Sequence, residues 1–124
     1  MDCPFCIIRE KNALLFENDF AFAILDHFPV SDGHVLIIPK RHVKTYFDLN
    51  PNEVTAINEI SLKVKEYLDK KLHPDGYNVG FNCGQEAGQT IMHCHMHIIP
   101  RYKGDCESPR GGIRNIVPNP KTKY

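Results

Sequence analysis

The chain has 124 residues, 42% hydrophobic and 24% charged, with 15 Lys plus Arg set against 15 Asp plus Glu. That balance gives no electrostatic reason to seek a nucleic acid polymer or an anionic membrane, and no apolar stretch approaches the ~20 residues of a membrane helix. The length fits a single domain over residues 1–124, and Met1-Asp2-Cys3-Pro4 has neither the basic region nor the apolar core of a signal peptide, so a cytoplasmic location is expected.

In chain order, residues 3–12 have room for a short helix, and residues 13–17 and 20–26 read as strands around a turn at Asn18-Asp19. Phe28-Pro29-Val30-Ser31-Asp32-Gly33 is turn chemistry, and residues 34–39 form a third strand closed by Pro39, completing an antiparallel meander. The period then changes. Val54, Ile57, Ile60, Val64, Tyr67 and Leu68 recur at three- and four-residue spacing, with Asn50 as N-cap and Pro51 at the first helical position. This predicts one long amphipathic helix of about five turns, stopping before His73-Pro74-Asp75-Gly76. Residues 77–83 return to strand, 84–90 are a polar loop, 91–100 are a last strand, and 103–124 are an irregular tail rich in Pro, Gly, Lys and Arg. The pattern predicts an α+β fold: an antiparallel sheet of about five strands, the long helix on one face, the other face open for a site.

The last strand carries His93, His95 and His97 at every second position of an apolar run. In an extended strand the three rings share one face while Met92, Cys94, Met96 and Ile98 take the other. Neighbouring histidines then sit about 6.6 Å apart along the backbone and the outer pair about 13 Å. Adjacent rings can share a metal and the outer pair cannot, which leaves at least one imidazole for chemistry or anion binding. A neutral imidazole is a competent nucleophile and forms covalent phospho-intermediates, provided an acceptor such as a backbone carbonyl holds its other nitrogen. Flanking histidines can donate to phosphate oxygens as charge builds. In the preceding loop, Gly84 and Gly88 permit close backbone approach, while Asn82, Gln89 and Thr90 offer neutral donors to an oxygen-rich ligand.

Five cysteines cannot all pair, and in a reducing compartment they are thiols or ligands rather than disulfides. Cys3-Pro4-Phe5-Cys6 is half of a tetrahedral zinc site, which His42 and His93 can complete. A redox pair is the competing reading, but such a pair normally follows a strand and here only Met1 and Asp2 precede it; free structural thiols are the third. Asp26, at a strand end, is a candidate acceptor for ribose hydroxyls or else an ordinary turn carboxylate. His27, His34 and His73 read as surface residues, and Cys83, Cys94 and Cys106 as buried or neutral thiols. Arg110 and Arg114 either reach a polyphosphate or belong to a solvated tail.

The run His93-Cys94-His95-Met96-His97-Ile98-Ile99 resembles the signature of the histidine triad (HIT) nucleotide hydrolases and transferases. Ile24-Leu25-Asp26, the segment from Gly33 to His42, the long helix and the loop from Asn82 to Thr90 fall in the order that family shows. The resemblance implies a HIT-like fold, usually a homodimer, that binds a nucleotide substrate and cleaves it at the α-phosphorus. It casts His95 as the nucleophile that forms a nucleotidyl-histidine, His97 as an α-phosphate contact, and His93 as the support of the His95 ring through its backbone carbonyl. Asp26 matches the ribose-binding acid, Asn82 and Gln89 match phosphate-side contacts, and Thr90 stands where many members have serine. Cys3, Cys6, His42 and His93 resemble the structural zinc set of some prokaryotic members. The implied activity is hydrolysis of a dinucleoside polyphosphate, such as diadenosine tetraphosphate, or of a nucleoside phosphoramidate. A nucleotidyl transferase or phosphorylase, and a nucleotide-binding scaffold with vestigial catalysis, are the alternatives.

Overall fold

Residues 21–25 and 35–39 are apolar on both faces because they form the centre of a sheet covered on both sides in the computed structural model, which describes residues 3–11 and 13–122. Five strands, β1 (Phe16–Glu17), β2 (Ala21–Leu25), β3 (Val35–Pro39), β4 (Gly76–Phe81) and β5 (Met96–Arg101), lie in the order β1-β2-β3-β5-β4 with every neighbour antiparallel. Two helices, α1 (Pro4–Lys11) and α2 (Pro51–Leu72), complete the α+β architecture. Among the described residues no helix is long and apolar enough to cross a membrane.

The long helix α2 begins as its sequence dictates. The Asn50 side chain accepts from the Glu53 amide while the Glu53 carboxylate accepts from the Asn50 amide, each at 2.9 Å, so two of the helix's orphan donors are satisfied reciprocally. Its apolar stripe, Ala56, Ile57, Ile60, Val64 and Leu68, is buried against Ala21, Ala23, Val35, Ile37, Met96 and Ile98 of the sheet. The helix ends at His73, whose left-handed backbone (φ 50°) closes it just before Pro74. On the opposite face, Phe22, Ile24, Leu36 and Ile38 pack with Phe5 of α1. The second face is therefore partly covered by the N-terminal helix rather than wholly open.

The histidine segment departs from expectation. β5 begins at Met96, not at residue 91, so only His97 rides on a laddered strand. The ladder between β3 and β5 stops because the Pro39 carbonyl accepts from the His93 ring at 2.8 Å, and the Cys94 amide turns to the Val43 carbonyl at 2.7 Å. β1 is likewise shorter than predicted, although the Leu15 amide still bonds the Ala23 carbonyl at 2.9 Å. Short 3₁₀ turns at Gln85–Ala87 and Gly112–Ile116 occupy segments that read as loop and tail, and another lies at Tyr46–Asp48.

Two contacts fix the segments on either side of β3. Gly33 has φ +87°, and a Cβ there would lie 2.6 Å from the Leu72 methyl, so the turn before His34 seats directly on α2. After β3, the Arg41 guanidinium grips the buried Glu53 carboxylate in a two-point pair at 2.9 and 2.8 Å and also donates to the Asp48 carbonyl. The guanidinium holds the Glu53 carboxyl below its usual range despite burial. Because Arg41 precedes His42, this pair fixes the path of that histidine. Glu53→Ala removes both the cap and the pair, and is expected to lower unfolding free energy by about 2–4 kcal/mol in urea titration. A loss below about 0.5 kcal/mol would contradict this role.

Candidate active site and metal site

His93 is fully buried, and each of its polar groups has its own use. Its Nε2 lies 2.8 Å from the Pro39 carbonyl. A carbonyl only accepts, so Nε2 carries the proton and Nδ1 presents a lone pair. That lone pair points into a cluster with Cys3 Sγ at 3.4 Å, Cys6 Sγ at 3.6 Å and His42 Nδ1 at 3.2 Å, and Cys6 Sγ lies 3.2 Å from His42 Nδ1. All four donors fall within 4.8 Å of one another. A zinc tetrahedron with ligand bonds of about 2.0–2.3 Å has edges of about 3.3–3.8 Å, close to these separations. The helical turn in which the Cys6 amide bonds the Cys3 carbonyl at 3.2 Å is what aims both thiols the same way. The Pro39 bond is the outer hydrogen bond that fixes a metal-binding imidazole. The donor set fits zinc, and two imidazoles converging on the thiols are what a metal site needs and a redox pair does not.

The carbonyl of the same residue accepts from His95 Nδ1 at 2.8 Å. This places the His95 proton on Nδ1 and the basic lone pair on Nε2. His95 is 8% exposed, and burial pushes its pKa below the ordinary value, against the opposing effects of the His93 carbonyl and Asp26. At neutral pH the ring is uncharged. Its neighbours are Phe5, edge-on with centroids 4.9 Å apart, and His97, also at 4.9 Å.

His97 belongs to a second chain of hydrogen bonds, and here one expectation is corrected. His34 is not a surface residue: it is 3% exposed, on the site face of the sheet beside His97. The Val30 amide lies 3.2 Å from His34 Nδ1 and can only donate, so the His34 proton sits on Nε2, 3.0 Å from His97 Nδ1 and 3.4 Å from Asp26 Oδ2. His97 Nδ1 must then accept, which leaves His97 Nε2–H as a donor. That Nε2 is buried without a partner among the described residues. Burial, followed by the neighbouring His95 and His34, pushes the His97 pKa down to about 4, so it donates as a neutral ring. Asp26, His34 and His97 also come within metal-binding distance of one another. The Val30 bond opposes that use, because a metal on His34 Nε2 would drive the proton to Nδ1, against another donor.

The remaining candidates are placed unevenly. Asp26 is half-buried at the end of β2, where its Oδ1 accepts from the Phe28 amide at 3.0 Å and its Oδ2 lies 3.4 Å from His34 Nε2, which leaves the carboxylate acceptor capacity for a hydroxyl. Asn82 is exposed and lines a cavity of about 540 Å³ together with His34, His97, Gly80, Ile113 and Ile116. Thr90 is exposed at the end of the loop. Gln89 requires correction. It is 3% exposed, with its amide nitrogen donating to the Lys44 and Ile91 carbonyls at 2.7 and 3.0 Å and its oxygen accepting from the Gly84 amide at 2.8 Å. Its amide is consumed in closing the loop, so it shapes the site rather than contacting a phosphate. Gly84 enters that loop at φ +97°, which a side chain would resist.

His27 and His73 are exposed, as expected. Cys94 is buried, its thiol pushed up to about 12 by burial, whereas Cys106 is exposed and accepts from Arg101 at 3.2 Å. Arg110 and Arg114 do not line the cavity, although Gly112, Ile113 and Ile116 of the turn that contains Arg114 do. The residues sequence reasoning missed are His34 and Phe5. His34 precedes Leu36 and Ile38 at period two, a signal that puts it on the same face as those buried residues.

The chain is 41% identical over 105 residues to an uncharacterized 16.1 kDa HIT-like protein of Mycoplasma pneumoniae, covering 82% of this chain and 73% of that one. It is 42% identical over 108 residues to an adenylylsulfatase of Arabidopsis thaliana (85% and 55%), and 37% identical over 92 residues to an asymmetrical bis(5'-nucleosyl)-tetraphosphatase of Schizosaccharomyces pombe (74% and 50%). In the last two the chain spans about half the relative's length. A zinc-bound histidine triad protein from Mycobacterium smegmatis superposes with a TM-score of 0.77 at 35% identity, covering 87% of this chain and 81% of that structure. Residues 9–104 match the HIT domain. With the strand order, the histidine chain and these likenesses in agreement, the chain belongs to the HIT family.

Proposed function

We propose that this protein is a nucleotide hydrolase that cleaves at the α-phosphorus through a covalent intermediate on His95. The observation that carries this reading is the pair of ring hydrogen bonds, from which follow a lone pair on His95 Nε2 and an N–H on His97 Nε2 that has no partner among the described residues. One ring attacks and the other donates, without a change of protonation before reaction. His95 Nε2 forms a bond to phosphorus as the bond to the leaving group breaks, while His97 donates to a non-bridging oxygen where charge accumulates. Water then attacks the nucleotidyl-histidine, breaks the N–P bond and releases a nucleoside monophosphate. In this reading Asp26 accepts a ribose hydroxyl, Asn82 contacts the phosphate side and Thr90 serves the leaving group. Relatives named as an adenylylsulfatase and a tetraphosphatase support a substrate built of a nucleotidyl phosphate on a variable leaving group. Dinucleoside polyphosphates and nucleoside phosphoramidates are therefore the classes to assay.

Two further properties belong to this reading. Zinc bound by Cys3, Cys6, His42 and His93 neutralises two thiolates and ties α1 to the histidine segment, a structural role. A homodimer is supported by β4, an edge strand flanked by an apolar hollow that exposes Tyr46 (42%) and Val79 (47%).

Replacing His95 by Asn is expected to abolish turnover while nucleotide affinity survives within a few-fold. Wild-type turnover in that variant would overturn the assignment, and products formed with and without inorganic phosphate separate a hydrolase from a phosphorylase. Elemental analysis is expected to find one zinc per chain, lost in Cys6→Ser with a lower Tm; zinc-free wild-type protein of unchanged Tm would refute the metal reading. Light scattering is expected to return twice the chain mass of 14.2 kDa, and a monomer at micromolar concentration would exclude the dimer.

A further inference from the structure

Phe5 stands between the two cysteines of the metal-binding turn, and metal coordination gives that position no task. Its ring is nonetheless 5% exposed and turned inward to the site face. It meets His93 edge-on, with centroids 6.1 Å apart at 76°, and His95 more closely, at 4.9 Å and 84°. It also packs in one buried cluster with Phe22, Ile24, Leu36 and Ile38 of the central strands.

Among the described residues, the His95 ring is held at Nδ1 by one hydrogen bond, to the His93 carbonyl. One bond fixes one atom and leaves the ring free to tip about it. Tipping is limited by what packs against the ring: His97 at 4.9 Å and 64°, and Phe5. Cys3 and Cys6 flank Phe5 on one turn, in which the Cys6 amide bonds the Cys3 carbonyl, and their thiols lie against His93 and His42.

We propose that Phe5 is a positioning residue for His95, through which closure of the Cys3–Cys6–His42–His93 clasp sets the orientation of the attacking ring rather than only the stability of the fold. The proposal rests on the reading of His95 as nucleophile for its effect on rate. The mechanical coupling between clasp and ring does not need that reading.

The test uses the zinc-loaded full chain with Phe5→Leu, which keeps apolar bulk and removes the ring, and Phe5→Met, which fills the same space with a flexible chain. Running both prevents a folding defect in one from deciding the outcome. Zinc content, Tm, KM, kcat and the NMR signals of the histidine rings are measured for each. The expected result is one zinc retained, KM within about twofold of wild type and kcat lowered about tenfold or more, as misorientation of a reacting group predicts. The ring protons of His95 are expected to shift while those of His34 hold. When zinc is withdrawn by a chelator, His95 signals of the wild type are expected to move, and in the Phe5 variants to move less than half as far. An unchanged kcat in both variants, a fall in kcat that only tracks loss of zinc, or an equal response of His95 to zinc withdrawal with and without the ring overturns the proposal. Absence of turnover in the wild type counts instead against the hydrolase reading, and the NMR response still reports the coupling.

Discussion

The hydrogen bond from His95 Nδ1 to the His93 carbonyl, 2.8 Å long, decides which nitrogen of His95 can react. It has this power because everything around it is already committed. The His93 ring is spent on Pro39 and on the metal-binding cluster, so the residue that supplies the carbonyl cannot rotate away to find another partner. A buried imidazole whose second nitrogen has no such anchor would exchange tautomers and present its lone pair only part of the time. Here the anchor is backbone, held by a ring, held by the end of β3.

A second constraint runs along the same face of the sheet, from the turn before β3. The Val30 amide orients His34, and His34 orients His97, so two hydrogen-bond chains that begin at backbone groups end as one lone pair and one N–H side by side. Neither chain requires a charged group in the site at neutral pH. His95 is buried and His97 half-buried, and both pKa values are pushed down, which favours the neutral rings and lets directional hydrogen bonds, rather than ion pairs, set the geometry. Glu53, the buried charged residue among the described residues, is paired with Arg41.

Much of this was legible in the residues. Period two in β2 and β3, period 3.6 in α2, the Asn50 cap with Pro51, the spacing of His93, His95 and His97, and the Cys3–Cys6 pair each follow from local chemistry, and local chemistry is what a sequence displays. What escaped depends on contacts far apart in the chain. His34 looked like the end of a surface turn because its partner, His97, lies 63 residues away. Gln89 looked like a free amide because the Lys44 carbonyl that captures it is 45 residues distant. The strand was expected to begin at residue 91 because the alternation of side chains continues there, but the Pro39 carbonyl is claimed by a ring instead of a backbone amide and the ladder stops at Met96. Alternation reports which face a side chain takes, not whether its backbone is paired.

The most direct test is a crystal structure of the metal-loaded protein with a nucleotide analogue whose scissile atom is replaced by a non-hydrolysable group. The account predicts His95 Nε2 about 3–3.5 Å from the α-phosphorus and in line with the leaving atom, with His97 Nε2 on a non-bridging oxygen and His93 Nδ1 among the metal's ligands. A His95 ring coordinated to the metal, or a phosphorus atom nearer to His97 than to His95, would contradict it.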